Sequence, residues 1–260
     1  MVIINTMRRA FSLVELSIVL VILGLLVGGV LSGQSLIRAA ELRSIASEYT
    51  RYSTAVSSFR DKYFALPGDM SNATLFWTAQ DGADGLGVDC TNVASTGAAT
   101  CNGNGDGIVT ANYERFRYWQ HLANAGLIEG SYSGVGTPVG GLISTIGTNV
   151  PRSKLANSGW TSAFLGVILP ADTGWFEGSY GNTLFNGVQQ SGADTANPNL
   201  KPEEMWNIDT KLDDGRPALG VIRAAESSTN CHTSTTPSSS QYNLINSAVV
   251  CNSYFLNVGG

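Results

Sequence analysis

Glu15 is an acid at the start of a long apolar run, a position that calls for a chemical explanation. Residues 16–37 carry no charge, and at about 1.5 Å per helical residue they are long enough to cross the hydrocarbon core of a bilayer. An acid at membrane depth costs roughly 2.5 to 3.5 kcal/mol and usually marks a functional partner. A cut between Ala10 and Phe11 would place a new α-amino group one helical turn before Glu15. The spacing therefore predicts a processed N-terminus that supplies a positive charge for this acid.

The residues around the expected cut form a motif. Arg8 and Arg9 make a short basic leader, Ala10 is small, and residues 11–16 read Phe-Ser-Leu-Val-Glu-Leu before the apolar run. This stretch resembles the N-terminal signature of type IV pilins and type II secretion pseudopilins, and the resemblance extends over residues 8 to about 70. The departure from the family is Ala10, where the family usually has glycine.

The resemblance implies a role for each residue at the cut. A membrane aspartyl peptidase would remove the leader between Ala10 and Phe11 and methylate the new N-terminus at Phe11. Glu15 would then form a salt bridge with the amine of a neighbouring subunit in a growing filament. The implied partners are further copies of this chain, other pilins or pseudopilins, the prepilin peptidase and an inner-membrane assembly platform.

The resemblance also implies an α+β, type IV pilin-like fold, in which a long N-terminal α-helix packs on an antiparallel β-sheet domain with long loops. The basic residues before the span predict a single pass through the inner membrane with the N-terminus in the cytoplasm. The head would then lie in the periplasm or, as part of a filament, at the cell surface. The expected segments are a removed leader (1–10), the membrane and polymerisation half of the helix (11–37), its amphipathic half (38–66) and a globular head domain (67–260), which contains a loop-rich region (67–110) and a C-terminal sheet.

Two simpler interpretations of the N-terminus are an ordinary secretory signal, cut near residues 31–33, and a plain single-span anchor. The first conflicts with an acid inside the apolar core and with a helical pattern that continues past the cut. The second leaves Glu15 unexplained. The pilin-type interpretation accounts for both observations.

Beyond residue 37 the pattern changes from wholly apolar to amphipathic, which predicts that the helix continues with one side on the head domain. We expect one helix from Phe11 to Phe64, ended by residues 66–68 because the residue before Pro67 is pushed out of helical space. A free coiled coil is the alternative, but only three heptads are present. The apolar side comprises Leu42, Ile45, Tyr49, Tyr52, Val56, Phe59 and Tyr63, and the polar side Arg43, Glu48, Arg51, Arg60 and Asp61.

The composition limits the partners and the location of the head. The net charge is -5, so we expect no basic face for nucleic acid. The four cysteines predict two disulfides in an exported domain. Three pairings are open, of which the local one, Cys90 with Cys101 and Cys231 with Cys251, closes short loops.

Oxygen-bearing side chains alternate with glycine in two stretches near residues 81–85 and 102–107, which is typical of the first half of a calcium loop. The match is partial, because the twelfth position counted from Asn102 is Tyr113, with Glu114 one place late. An EF-hand is therefore not predicted, and a looser calcium cage and a set of simple turns both stay open. The candidate ligands are Asp81, Asp84, Asn102, Asn104 and Asp106, with Glu114 as a further oxygen donor.

The head is predicted to contain one more helix and several short strands. A β-hairpin is expected from residues 206–212 and 219–223 around the turn at Asp213, Asp214 and Gly215. The other expected elements are a helix at 111–125, strands at 139–146, 161–169 and 181–188, and a surface loop at 224–243.

The sequence contains no catalytic constellation. There are two histidines, His121 and His232, and no GxSxG, HExxH or phosphate-binding glycine motif. We therefore expect a structural filament subunit and not an enzyme, with calcium as the one cofactor to consider. A single-span, membrane-anchored extracytoplasmic enzyme or binding domain is the alternative. The sequence leaves open whether the filament is a type IV pilus or a secretion pseudopilus, and whether the subunit is major or minor.

Overall fold

The computed structural model describes residues 12–80, 94, 97–110, 112–138, 141–169, 172, 174–225 and 230–259. The chain divides into two units, Met1–Glu41 and Leu42–Gly260. The elements in chain order are helix α1 (Leu13–Tyr63), a 3-10 turn (Ala73–Leu75), helix α2 (Asn112–Asn124), strands β1 (Ser158–Ile168) and β2 (Gly178–Val188), helix α3 (Pro202–Leu212), and strands β3 (Ile222–Arg223) and β4 (Ser253–Phe255).

Helix α1 is 51 residues long and contains no proline to interrupt it. Its last turn is closed by the Phe64 N–H, which donates to the Arg60 carbonyl oxygen at 2.8 Å. Phe64 itself has a φ of 54°, in the left-handed region, so the helix ends at Tyr63. The predicted single helix is confirmed from Leu13 to Tyr63, while Phe11 lies outside the described residues.

The outer part of α1 supplies one wall of the core of the head. The Tyr52 ring packs edge-on against Trp119 of α2 at 5.0 Å and against Trp160 of β1 at 5.5 Å between ring centroids. Burying a large apolar side chain contributes about 1.5 to 3 kcal/mol, so this stripe attaches the helix to the head. Buried members of the predicted stripe are Ile45, Tyr52, Val56 and Phe59, and partly buried members are Leu42, Tyr49 and Tyr63.

The four strands form one antiparallel sheet in the order β1-β2-β4-β3. Strands β1 and β2 pair along their length, from Ser158 opposite Val188 to Ile168 opposite Gly178. This confirms the strands predicted at 161–169 and 181–188. Strand β4 pairs with β2 on one side and with β3 on the other.

The strand predicted at 139–146 is wrong for the part of it that the structure describes. Only single bridges occur there, Thr137 with Ile143 and Ile146 with Val150. The reason is a side chain that takes the place of a strand partner: the Asn149 amide donates to the carbonyl oxygens of Val135 and Ile143, both at 3.0 Å. The segment is therefore a loop wrapped around one asparagine.

The first arm of the predicted hairpin is also wrong, because residues 206–212 belong to helix α3. Pro202 opens this helix at a position where its missing N–H costs nothing. The Lys201 N–H donates to the Glu204 carboxylate at 2.8 Å, and Met205 and Ile208 are buried three residues apart. Only the end of the second arm is a strand, the two-residue β3.

These elements give an α+β fold with a pilin-like layout, in which a long apolar N-terminal helix is followed by an antiparallel sheet. The helix predicted at 111–125 is confirmed as α2. The core lies between the outer part of α1, α2, α3 and the sheet, and its largest buried side chains include Trp119 and Trp160.

Candidate functional site

Glu15 lies in the first turn of α1 and is held there by backbone groups. Its Oε2 atom accepts a hydrogen bond from the Ser12 N–H at 2.9 Å, and the Ser12 hydroxyl accepts one from the Val14 N–H at 3.3 Å. A carboxylate at a helix N-terminus is stabilised by the unpaired N–H groups and the helix dipole. Glu15 is exposed, and no Lys, Arg or His of the described part of the chain forms a salt bridge with it.

The apolar residues that follow Glu15 are exposed in the single chain. The large apolar side chains between Leu13 and Ile37 are 51% to 84% exposed. Among the described residues, α1 is the helix that is long and apolar enough to cross a membrane. Such a surface needs lipid or other helices around it, which is consistent with membrane anchoring.

Ala10 and Phe11 lie outside the described residues, but the sequence around them is similar to a known motif. The family model of the prokaryotic N-terminal methylation motif matches residues 5–31, a range that includes Ala10, Phe11 and Glu15. The chain carries the leader signature of type IV pilins and pseudopilins. Comparisons with curated proteins and with solved structures gave no match.

Glu48 attaches helix α1 to the head, although the sequence pattern predicts it on the polar side of the helix. Glu48 was predicted on the polar side of α1, but it is only 4% exposed. Its Oε2 accepts hydrogen bonds from the Ser153 hydroxyl and the Trp160 Nε1–H, both at 2.7 Å, and its Oε1 accepts one from the Lys154 N–H at 2.8 Å. The signal that could have found it is its spacing, three residues after Ile45 and four before Tyr52, which puts it on the apolar side.

Two buried carboxylates organise the glycine-rich loop after Cys101. Asp69 accepts hydrogen bonds from the N–H groups of residues 105, 106 and 107 at 2.7, 3.1 and 2.9 Å. Glu114, at 0% exposure, accepts from the Asn104 N–H at 3.1 Å and the Thr110 N–H at 3.3 Å. The loop therefore turns its N–H groups toward carboxylates, whereas a calcium loop turns oxygens toward the ion.

The described calcium candidates have backbone and amide donors on their oxygens. Asn102 Oδ1 accepts from the Thr74 N–H at 2.9 Å, and Asn104 Oδ1 accepts from the Asp106 N–H at 3.0 Å. Asp106 Oδ1 accepts from the Ile108 N–H at 3.0 Å. These hydrogen bonds place the three residues in turns. Asp81 and Asp84 lie outside the described residues, so calcium binding by the whole set stays a prediction.

Both histidines have structural surroundings. His121 is fully buried, its Nδ1 accepts the Gly68 N–H at 3.0 Å and its Nε2 lies 2.9 Å from the Thr100 hydroxyl. Burial, with a smaller contribution from the Arg117 charge, lowers the pKa of His121 to about 3, so the ring is neutral. His232 is buried with its ring 4.8 Å from that of Phe176.

The three cysteines that the structure describes are disulfide-bonded. Cys231 is bonded to Cys251 with a Cα–Cα distance of 5.2 Å, as the local pairing predicts. Cys101 is disulfide-bonded as well, and Cys90 lies outside the described residues. The segment 224–243 was predicted to be a surface loop, but Cys231, His232 and Tyr242 within it are buried, because the disulfide draws this segment into the core.

A group of three acids stands at the end of α3. Asp209, Asp213 and Asp214 each bring an oxygen within 4.8 Å of the others. Asp209 accepts from the Tyr242 hydroxyl at 2.8 Å, and burial raises its pKa to about 7. Asp213 accepts from the N–H of Ile222 at 2.9 Å and Asp214 from that of Arg216 at 2.8 Å. Through these hydrogen bonds the three acids stabilise the connection between α3 and β3.

Proposed function

We propose that this chain is a structural subunit, a pilin or a pseudopilin, of a type IV pilus-like or type II secretion filament. The observation that carries the proposal is the methylation motif over residues 5–31, continued by a helix whose apolar residues are exposed in the single chain. The mature subunit would begin at Phe11, N-methylated after removal of residues 1–10. Neither an enzymatic activity nor a bound cofactor forms part of the proposal.

Localisation follows from the same helix. The mature chain would be held in the inner membrane by residues 11–37, in a single pass with the N-terminus in the cytoplasm. After assembly the head would lie in the periplasm or at the cell surface. The partners would be further copies, other pilins or pseudopilins, the peptidase and the assembly platform.

Assembly can be understood from the chemistry of α1. Moving an apolar helix from lipid to a bundle of similar helices costs little, because both surroundings are apolar. A carboxylate without a basic partner is costly in such surroundings. Glu15 would gain the amine of a neighbouring Phe11 only when two copies are in register, so the ion pair sets the stagger between them. A contact of this kind that does not close on itself produces a filament.

The test separates processing from assembly. Glu15→Ala should be cut and methylated normally, because the residues at the cut are intact, and should accumulate in the membrane with few or no filaments. Ala10→Leu should keep its leader, since a bulky side chain replaces the small one before the cut, and should also form few filaments. Intact-mass measurement reads the N-terminus, and electron microscopy counts the filaments.

Ser17→Ala is the matched control, because it alters a side chain on the same helix without touching the acid or the cut. It should be processed and assembled like the parent chain. Normal filaments from either Glu15→Ala or Ala10→Leu would contradict the proposal, and so would a parent chain whose mass shows no cut before Phe11.

A further inference from the structure

Phe64 combines an unusual backbone conformation with an exposed aromatic ring. It is the first residue after α1, its φ is 54°, and it is 93% exposed. A residue in the left-handed conformation at this position is usually glycine, because a side chain there is strained. The ring has no contact with another ring among the described residues. A large ring at such a strained position, where glycine would make the same turn, is a reason to look for a binding role.

A groove that suits such a ring lies on the same helix. Its volume is about 650 Å³, and its walls are mainly short side chains of α1, of which Ser47, Thr50 and Thr54 are exposed. Short side chains leave room for a protruding ring, and Arg51 is the charged residue of the lining. The lining residues are Ala46, Ser47, Thr50, Arg51, Thr54, Ala55, Ser58 and Leu127.

The charges beside the ring and the groove are complementary. The Asp61 side chain is exposed one turn before Phe64, and the structure gives it no hydrogen bond or ion pair with a described residue. Arg51 is exposed on the groove and contacts the Tyr52 hydroxyl at 3.1 Å. Asp61 follows Arg51 by ten residues, and Phe64 follows Thr54 by ten residues. If two copies of α1 run parallel with a shift of ten residues, about 15 Å, the Phe64 ring of one copy lies level with the groove of the other. In the same arrangement Asp61 of the first copy lies level with Arg51 of the second.

We propose that Phe64 of one copy docks into the groove of residues 46–58 and Leu127 of a second copy, with Asp61 of the first beside Arg51 of the second. One chain carries both the ring and the groove, and the two surfaces differ. The contact is therefore heterologous and can repeat along an axis. It rests on the proposed filament function, because parallel N-terminal helices bring the copies together, and it assigns a further contact to the outer half of α1 and Leu127.

Phe64→Gly is the first test, because it removes the ring and also relieves the left-handed strain. The variant should melt at the same or a higher temperature than the parent chain. Its filaments should be about tenfold or more fewer, as expected when a buried aromatic anchor is lost from an interface. Leu75→Ala is the matched control, because Leu75 is 82% exposed but lies outside the groove. Normal filament numbers with Phe64→Gly would overturn the proposal.

Cross-linking identifies the occupant. A benzophenone-bearing phenylalanine at position 64 keeps an aromatic ring there and, on illumination of whole cells, should join to residues 46–58 or to Leu127 of a second copy. Mass spectrometry of the adduct reads the joined residue. An adduct with a different protein, an adduct elsewhere on the chain, or no adduct would each overturn the proposal.

Charge exchange tests the register. Arg51→Asp and Asp61→Arg should each reduce filament number, and the double variant should restore it, because the pair is rebuilt with opposite polarity. A double variant no better than the single ones would overturn the pairing.

Counting filaments of the parent chain in the same cells tests the filament function separately, since a chain that never forms filaments contradicts that function whatever position 64 contacts.

Discussion

Replacing Glu48 by alanine should destabilise the packing of α1 on the head more than the substitution of any exposed side chain of this helix. The carboxylate is 4% exposed and accepts three hydrogen bonds, from Ser153, Lys154 and Trp160. Its loss leaves three donors without an acceptor in a largely buried place. Each such donor costs about 1 to 3 kcal/mol, and breaking a buried charged network costs about 3 to 5 kcal/mol. We therefore expect Glu48→Ala to lower the free energy of unfolding by about 3 to 5 kcal/mol.

The assay is thermal unfolding of the purified full chain in detergent micelles, followed by tryptophan fluorescence, because Trp160 donates to Glu48. For a unit of this size the loss corresponds to a fall in melting temperature of roughly 6 to 20 °C. Glu41→Ala is the control: Glu41 is a partly exposed acid of the same helix, paired with Arg38 at 3.3 Å. Such a surface pair contributes about 0 to 1 kcal/mol. Equal melting temperatures for the two variants would refute the reasoning.

Two further predictions concern the other carboxylates of the head. Burial raises the pKa of Asp209 to about 7 in the folded chain from an ordinary value of 3.8, so its contribution to stability is full below the ordinary value and is lost as pH rises through about 7. Asp209→Asn should therefore be more stable relative to the parent chain at pH 8 than at pH 5 in urea unfolding, and an unchanged difference would contradict the assigned pKa. For calcium, the predicted site would make the melting temperature fall when a chelator is added, and an unchanged melting temperature would contradict it. A calcium site filled at 100 times its Kd would add about 2.7 kcal/mol, so a fall of several degrees that calcium but not magnesium reverses would support a calcium site in the chain, and loss of this response in Asp81→Asn and Asp84→Asn would assign it to these residues.

The elements that the sequence predicts well are those set by local periodicity. The length of α1 and the buried stripe from Ile45 to Phe59 follow from apolar residues three and four apart, and β1 and β2 follow from short apolar runs between glycine turns. The sequence of helix α3 predicts a strand instead, because Trp206, Ile208 and Leu212 also fit a period of two. Met205 and the proline at position 202 were the signals for a helix.

The contacts that the sequence could not supply join residues far apart in the chain. Glu48 was assigned to the polar side by its charge, since nothing near it in sequence shows that Trp160 and Ser153 donate to it, more than 100 residues away. Asp69 likewise meets the N–H groups of a loop 36 to 38 residues later. A charged residue at a core position is the local sign that such a partner exists, but the partner itself is fixed only by the fold.

The end of α1 shows how such distant contacts override a local signal. The sequence attributes the stop to Pro67, yet the helix ends at Tyr63. Gly68 donates its N–H to His121, and a side chain there would lie 2.3 Å from the Glu114 carbonyl oxygen, so the chain must approach α2 closely at this point. To reach it, the backbone has to leave the axis of α1 before the proline, and Phe64 makes that turn in a conformation better suited to glycine. Glycine at position 64 would make the turn with less strain, so the turn alone does not explain the phenylalanine, whose exposed ring is the one that we propose docks on a second copy.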